Sequence, residues 1–504
     1  MKARKRQTSR ITWLKAGDAN TKFFHLKVNG CRRKNFIHTL NTATSILSAH
    51  EDKENHLLEH FISIMGTRKQ RTCTIDWDNI EMNQVEPNDL VLPFTEEEVW
   101  SAIRQSPTEK APGLDGFTGA FYKSCWEIIK ANVMECFHWF YNLGRGKMHC
   151  INRANITLIP KKGLANSIGD YRPISLIHSL AKLMSKVLAL RLAKQLDSLV
   201  SNAQSAFIKG RCIQDNFLCV RNVVRKLHAT KKPSLFFKLD ITKSFDSVSW
   251  EYLLELLQEM GFSDRWRDWI SLLLATSTSR IFLNGSLEQS IQHQRGLRQG
   301  DPLSPYLFIL AIDPLQKILD VATSEGILTK VASRAVKFRT SLYADDAAVF
   351  INPARQEVQN FLQILENFGA ATGLQVNTTK SSLTPICCSD QDLLEVMAIF
   401  DGQQGDFPLT YLGLPLMSGK LKHVHLQPAM DKIKARMGGW KSKLVYQSGR
   451  KVLVKTVLSA MPTYLLTVLK PPKGFLNDID KTRRKFLWAG DQDALGGKSK
   501  VNWQ

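Results

Sequence analysis

A segment with two adjacent aspartates near position 345 constrains the fold of this chain more than any other. Before it, apolar and polar side chains alternate from Val336 to Leu342, which is the period of a strand with one buried face. After it, the short apolar run Ala347–Ile351 predicts a second, more buried strand. We therefore expect a hairpin that carries Asp345 and Asp346 at its tight bend.

The two carboxylates at this bend repel each other and lose solvation, and a bound cation would offset both effects. A turn that binds nothing is the alternative, because aspartate favours turns by itself. Another acid, Asp240, lies near the end of the apolar run Leu235–Ile241, and an aspartate in a buried strand needs a partner. If the fold brings Asp240 and Asp345 together, they could bind two divalent ions about 4 Å apart, as in polymerases and nucleases.

The charge of the chain indicates a polyanionic partner. The net charge is +22 over 504 residues, which fits nucleic acid, whereas 43% hydrophobic residues are typical of an ordinary folded protein. No apolar run reaches the roughly 18 residues that span a bilayer, and no secretory signal follows Met1, so we expect a chain that is neither in a membrane nor secreted. Nine cysteines without a C-x-x-C pair predict reduced thiols, in the nucleus or alternatively the cytoplasm.

The order of predicted elements indicates an α+β fold with an antiparallel sheet and helices on one face. The strands are expected at 155–160, at 235–241, in the hairpin and within 374–385, and the helices at 96–104, 121–143, 176–192, 215–228, 250–260, 304–322 and 358–368.

Two further segments have residue types that suit phosphate binding. Lys161 and Lys162 follow a strand, and Arg172 comes shortly after, so these cations could clamp a triphosphate, with ordinary surface charge as the alternative. Arg295–Pro305 is a loop bounded by glycine and proline, and its backbone can approach a ligand closely because glycine has no side chain.

Taken together, these motifs resemble those of reverse transcriptases. Tyr343–Asp346 resembles the catalytic signature, Asp240–Asp246 the first catalytic motif, and Arg295–Pro305 the nucleotide-binding loop. Further segments match in order: Ala111–Gly116, Ile156–Lys162, Tyr171–Ser175, Gln204–Gly210, Gly373–Lys380 and Tyr411–Pro415. Thr12–His25 resembles the segment between endonuclease and polymerase in LINE-type, non-LTR retrotransposons. The motifs as a set resemble those of plant elements of this type.

This resemblance implies a right-hand polymerase with fingers, a palm built on an antiparallel sheet, and a helical thumb. It divides the chain into a basic N-terminal region (1–95), fingers and palm (96–416) and a basic helical thumb or connection region (417–504). The matched motifs lack an endonuclease before them and an RNase H or zinc segment after them, so we expect a fragment of a longer polyprotein.

The resemblance also assigns the catalytic residues. Asp240, Asp345 and Asp346 would be catalytic and would hold two Mg²⁺ ions, or alternatively Mn²⁺, together with the carbonyl of Ile241. Phe245 would be the steric gate that excludes a ribose 2′-hydroxyl.

Contacts with substrates are implied in the same way. Gln299 and Gly300 would pack against the incoming nucleotide, while Lys161 and Arg172 would hold its phosphates. Lys380 would be a general acid toward pyrophosphate. The primer grip would comprise Tyr411, Leu412 and Gly413.

The function implied is that of an RNA-directed DNA polymerase, with an RNA template, a DNA primer and dNTPs as partners. An RNA-dependent RNA polymerase or a group II intron maturase is one alternative, and Phe245 argues against the former because an RNA polymerase must admit the 2′-hydroxyl. A remnant that only binds nucleic acid is another, and the intact aspartates argue against it. The sequence gives no oligomeric state.

Overall fold

The strands lie in two main sheets and two small hairpins. The computed structural model describes residues 30, 35–86, 89–331, 339–438 and 445–489. The strands are β1 (Leu40–Asn41), β2 (Ile46–Leu47), β3 (Arg153–Pro160), β4 (Tyr171–Ile177), β5 (Ser234–Leu239), β6 (Thr278–Leu283), β7 (Ser286–Gln292), β8 (Thr340–Tyr343), β9 (Asp346–Ile351), β10 (Ser382–Ile386), β11 (Gln403–Gln404), β12 (Leu409–Tyr411) and β13 (Leu414–Leu416).

Helices pack around these sheets. They are α1 (His50–Phe61), α2 (Glu96–Gln105), α3 (Gly119–Tyr141), α4 (Arg145–Ile151), α5 (Ser179–Leu192), α6 (Leu196–Leu199), α7 (Ile213–Ala229), α8 (Ser244–Ser247), α9 (Trp250–Glu259), α10 (Asp264–Ala275), α11 (Ser304–Ile312), α12 (Pro314–Ser324), α13 (Arg355–Thr372), α14 (Asp390–Met397), α15 (Gln427–Gly438), α16 (Gln447–Leu453), α17 (Thr463–Val468) and α18 (Lys473–Ala489). None of the helices in the described part of the chain is both long and apolar enough to cross a membrane.

The central sheet has the strand order β11-β10-β5-β9-β8 and is antiparallel except for the β10–β11 pair. Leu239 at the end of β5 pairs with Ala347 on β9, and Tyr343 on β8 pairs with Asp346. The predicted hairpin and the antiparallel α+β sheet are therefore confirmed, and this register brings the end of β5 beside the hairpin turn.

Both faces of the central sheet are buried, whereas the sequence predicted helices on one face. On β5, Leu235 and Phe237 pack into a core formed with α9 to α13, and Phe236 packs into a second core with α7 and the C-terminal helices. Neighbouring side chains of a strand point to opposite faces of the sheet. Because both faces are covered by other elements, apolar residues are favoured at successive positions of β5, which explains its apolar run.

A second sheet has the order β4-β3-β6-β7, with β3 antiparallel to β4 and parallel to β6. The strand at 155–160 was predicted, but the β6–β7 hairpin was not. A short π-helical segment after α1, Ile62–Gly66, lies against this sheet, where the amide of Gln294 donates to the carbonyl of Met65 at 2.7 Å.

Residues 71–86 pack into the same core as the central sheet. Ile75, Ile80 and Met82 are buried there. The indole of Trp77 donates to Oε1 of Glu255 on α9 at 2.6 Å. The boundary at 95/96 stays a prediction, but apolar packing runs continuously across it.

Two other expectations differ from the structure in detail. The helix predicted over 304–322 is two helices, α11 and α12, because Pro314 has no amide hydrogen to continue the helical hydrogen bonds. The first three residues of the alternating run, Val336–Phe338, lie outside the described residues. The basic residues 1–29 lie outside them as well.

Candidate active site

The hairpin turn presents two carboxylates at the end of the central sheet. Ala344 and Asp345 form a two-residue turn between β8 and β9, and Ala344 has a positive φ of 53°. This left-handed conformation at the first turn position matches the twist of a hairpin but is unfavourable for alanine. The side chains of Asp345 and Asp346 are exposed.

A buried glutamine holds this strained turn. The Oε1 atom of Gln204 accepts hydrogen bonds from the amides of Ala344 (3.0 Å) and Ala206 (2.9 Å). The backbone of 203–205 also bonds to Leu342 on β8, which is the edge strand of the sheet. The Gln204–Gly210 motif had no role predicted from the sequence, and a fully buried glutamine beside an edge strand explains why this motif matters.

Asp240 lies directly after β5, beside the hairpin. Its amide donates a hydrogen bond to the hydroxyl oxygen of Ser381 (3.0 Å), and its carbonyl accepts one from the amide of Asn377 (2.7 Å). Ile241 pairs with Val376 in a narrow antiparallel bridge whose hydrogen bonds run through the flanking residues. The carbonyl of Ile241 therefore points away from Val376, on the side where it could contact a ligand.

The three carboxylates are close enough to interact. Although Asp346 keeps solvent-exposed surface, desolvation of its carboxyl group by the surrounding protein raises its pKa; the charges of Asp345 and Asp240 raise it further, and Lys238 opposes them. Their mutual repulsion and their oxygen donors, with the Ile241 carbonyl, suit a hard divalent cation. Within the described ranges, no three His, Cys, Asp or Glu side chains form a group that could hold a metal ion.

Phe245 lies next to this end of the sheet on the short helix α8. Its half-buried ring stacks on Phe308 of α11, with ring centroids 4.4 Å apart and planes inclined by 17°. The carbonyl of Phe245 accepts a hydrogen bond from the amide of Leu297 at 2.6 Å. The ring is thus supported from behind by Phe308, and it cannot retreat without disturbing α11.

Asp246, the next residue, is half-buried and faces the loop Arg295–Pro305, called the glycine-rich loop below. Burial raises the pKa of Asp246 to about 7, although the nearby charges of Lys243 and Lys161 lower it. The side-chain amide of Gln299 lies 3.5 Å from its Oδ2 atom. No separate role was predicted for Asp246 or Lys243, because nothing in their spacing shows that a loop 50 residues away packs against them.

The glycine-rich loop joins the two sheets. The carbonyl of Gln299 accepts a hydrogen bond from the amide of Ser175 on β4 at 2.8 Å. Gly300 has φ +113°, and a Cβ atom there would lie 2.8 Å from the carbonyl oxygen of Ser175. Buried Arg298 secures the loop through Asn152 Oδ1 (2.6 Å). Glycine is therefore required at position 300 by both conformation and space.

The predicted cationic residues surround this region to different extents. Lys161 and Lys380 are both exposed, and their charges act on Asp246 and Lys243 respectively, so they face the same space. The ammonium of Lys161 also donates to the carbonyl of Gly169 at 2.9 Å. Arg172 is exposed on β4 opposite Ile159.

The segment Tyr411–Gly413 forms the end of the β12–β13 hairpin. Leu412 and Gly413 both have positive φ, 45° and 77°, as a two-residue hairpin turn of this hand requires. The side chain of Tyr411 is completely buried and bonds to Asn216 and Ser341, so only the turn itself reaches the surface.

Comparisons with known proteins agree with this geometry. The chain is 28% identical to the transposon TX1 uncharacterized 149 kDa protein of Xenopus laevis over 85% of this chain and 33% of that protein. It is 28% identical to the retrovirus-related Pol polyprotein from type-2 retrotransposable element R2DM of Drosophila melanogaster, over 56% of this chain and 26% of that one. A shorter match, 31% identical, covers 15% of this chain and 12% of a putative ribonuclease H protein of Arabidopsis thaliana.

The chain thus spans about a third or less of the length of these relatives. Residues 159–416, just over half of the chain, match the reverse transcriptase (RNA-dependent DNA polymerase) family. This range contains β5, the β8–β9 hairpin and the glycine-rich loop described above. The chain belongs to the reverse transcriptase family of RNA-dependent DNA polymerases.

Proposed function

We propose that this chain is the RNA-directed DNA polymerase of a non-LTR retrotransposon, which adds nucleotides from dNTPs to the 3′-hydroxyl of a DNA primer on an RNA template. The observation that carries the proposal is the convergence of Asp240, Asp345 and Asp346 at one end of the central sheet. The similarity to Pol polyproteins of retrotransposable elements supports it.

Asp240, Asp345 and Asp346, together with the carbonyl of Ile241, would hold two Mg²⁺ ions, with Mn²⁺ as the alternative. When bound, such ions neutralise phosphate charge and lower the pKa of an attacking hydroxyl. The protein holds the carboxylates in place before substrate arrives, because the turn that carries two of them is fixed by Gln204.

The nucleotide would lie between the glycine-rich loop and the cationic side chains. Gln299 and Gly300 pack against it, Lys161 and Arg172 hold its phosphates, and Lys380 donates a proton to the leaving pyrophosphate. Phe245 excludes a ribose 2′-hydroxyl, which is supported by the rigid contact of its ring with Phe308.

A basic cleft of about 370 Å³, which Gly300 helps to line, suits the RNA template. Its charged lining residues are Lys110, Lys182 and Lys186. Burial lowers the pKa of Lys182, with a further contribution from Lys110, and burial also lowers that of Lys186. Phosphate groups in this cleft would relieve the repulsion between the lysines.

Four finer assignments complete the proposal. The turn Leu412–Gly413, rather than the buried Tyr411 ring, touches the primer end. The chain is divided into an N-terminal region (1–95), fingers and palm (96–416) and a thumb or connection region (417–504). The protein works in the nucleus, as the net charge and basic N-terminal residues suggest. The element is a plant one, which the short match in Arabidopsis thaliana supports.

Primer extension tests the proposal. Purified protein is given an RNA template with an annealed DNA primer, dNTPs and Mg²⁺, alongside Asp345→Asn and, as the matched control, Asp268→Asn on the exposed face of α10. We expect extension by the wild type and the control, and none by Asp345→Asn, which should still bind RNA. Folded wild-type protein that binds RNA but never extends the primer would instead support the nucleic-acid-binding remnant.

A further inference from the structure

A buried asparagine connects the catalytic hairpin to the β12–β13 hairpin. Asn216 on α7 is 4% exposed. Its Nδ2 atom donates to the carbonyl of Leu342 at 2.7 Å and to the hydroxyl of Ser205 at 3.2 Å. Its Oδ1 atom accepts hydrogen bonds from the hydroxyls of Ser341 and of Tyr411, the latter at 3.1 Å. One amide group therefore ties three separate parts of the chain together.

The position of these contacts matters because β8 is the edge strand of the central sheet. An edge strand has a neighbour on one side only, so the sheet alone fixes its position less firmly than that of an inner strand. Ser341 and Leu342 lie on β8 just before the turn that carries Asp345. The backbone of 203–205 bonds to Leu342 on the outer side, and the contacts from Asn216 add a second constraint there.

The hydrogen-bonded chain continues away from the hairpin. The hydroxyl of Tyr411 also lies 3.2 Å from that of Ser341. In the turn that follows β12, the carbonyl of Leu412 accepts a hydrogen bond from the hydroxyl of Tyr464 on α17 at 2.9 Å. A continuous set of contacts thus runs from the C-terminal helices, through the β12–β13 hairpin, to the catalytic turn.

We propose that Asn216 and Tyr411 are positioning residues for catalysis: they form a polar strut that fixes the catalytic turn relative to the β12–β13 hairpin, and so relative to the primer end. This inference rests on the proposed polymerase function. Neither side chain touches substrate, because both are buried. The strut acts on the rate through the position of Asp345 and Asp346.

A purely structural role for the same network predicts a different outcome. Tyr411→Phe removes one hydroxyl and keeps the ring, which packs on Phe217 and Phe236 at centroid distances of 6.3 and 6.0 Å. If the network only stabilises the fold, fewer molecules are active but each works at the normal rate. If it positions the turn, every active molecule is slower.

The test is pre-steady-state primer extension, in which the burst amplitude gives the active fraction and the burst rate gives the rate constant. Tyr411→Phe should lower the rate constant about tenfold, the effect of losing one well-placed hydrogen bond, with unchanged nucleotide dependence and primer–template affinity. Ser341→Ala should act non-additively with it. The matched control is Tyr252→Phe, which removes a buried hydroxyl that donates to the carbonyl of Ala311 (2.7 Å) in the other core.

Two kinetic results would overturn the strut: a normal rate constant with a reduced burst, or an equal fall in the rate constant of the Tyr252→Phe control. Hydrogen exchange of the peptide 340–346 provides a readout that needs no activity. It should be faster in Tyr411→Phe than in the control, and unchanged exchange there counts against the strut. A wild type that does not extend the primer refutes the proposed function instead, and hydrogen exchange then decides on the strut alone.

Discussion

Asp246 should make the stability of the protein depend on pH in a way that one substitution removes. The folded protein holds this carboxyl in a half-buried position beside Gln299, and burial raises its pKa from 3.8 to about 7. In the unfolded chain the same group ionises near its ordinary value. Asp246→Asn keeps the shape of the side chain but cannot ionise.

The size and sign of the effect follow from proton binding. Between about pH 4 and 7, the folded state holds a proton on Asp246 that the unfolded state has lost, so the wild type loses stability as pH rises. Each pKa unit corresponds to about 1.4 kcal/mol, so the Asn variant should be up to about 4 kcal/mol more stable than the wild type at pH 8 and similar to it near pH 4.

Urea unfolding between pH 4 and 8, followed by tryptophan fluorescence, measures this difference directly. Asp268→Asn on the exposed face of α10 is the control, because its curve should run parallel to that of the wild type. If the free energies of unfolding of the wild type and Asp246→Asn kept a constant difference across this range, the carboxyl would not be held neutral by its surroundings, and the reasoning would fail.

Three further changes have distinct expected outcomes. Phe245→Val should raise ribonucleotide incorporation relative to dNTPs in primer extension, and an active variant with unchanged selectivity would remove the gate assignment. Gly296→Ala should lower the free energy of unfolding by about 3 kcal/mol, because φ is +81° and the new Cβ would collide with the backbone of Asp246; thermal unfolding measures this. Arg191→Met should also cost about 3 kcal/mol, since it leaves Glu98 (2.7 Å away) without its partner, and a normal melting temperature would contradict that role.

Local patterns in the sequence were enough to predict the central elements of the fold. The alternation before the turn and the apolar runs on β5 and β9 indicated the strands, and the acids at their ends stood out because they interrupt apolar segments. The glycines of the 295–305 loop indicated close approach of backbone, and Gly300 does lie against Ser175. These features depend on residues that are close together in the sequence, so they can be predicted from the sequence alone.

The supporting contacts could not be predicted in the same way. Gln204 reaches Ala344 across 140 residues, and Asn216 reaches Leu342 across 126. A polar residue in a loop or on a helix usually faces water, so composition favours exposure for both. Only the assembled fold shows that they satisfy backbone groups of an edge strand, and only the assembled fold shows that helices cover the central sheet on both faces.

The core shared between residues 71–86 and the central sheet has a consequence for cutting the chain. We expect Ile75, Ile80 and Met82 to remain packed when the backbone near residue 94 is cut, because apolar burial does not require covalent continuity. A protease that nicks this connection would leave the two pieces associated. Co-expression of the two fragments should then reassemble a working enzyme by complementation, whereas the larger fragment alone would expose the surface that Trp77 covers and would aggregate.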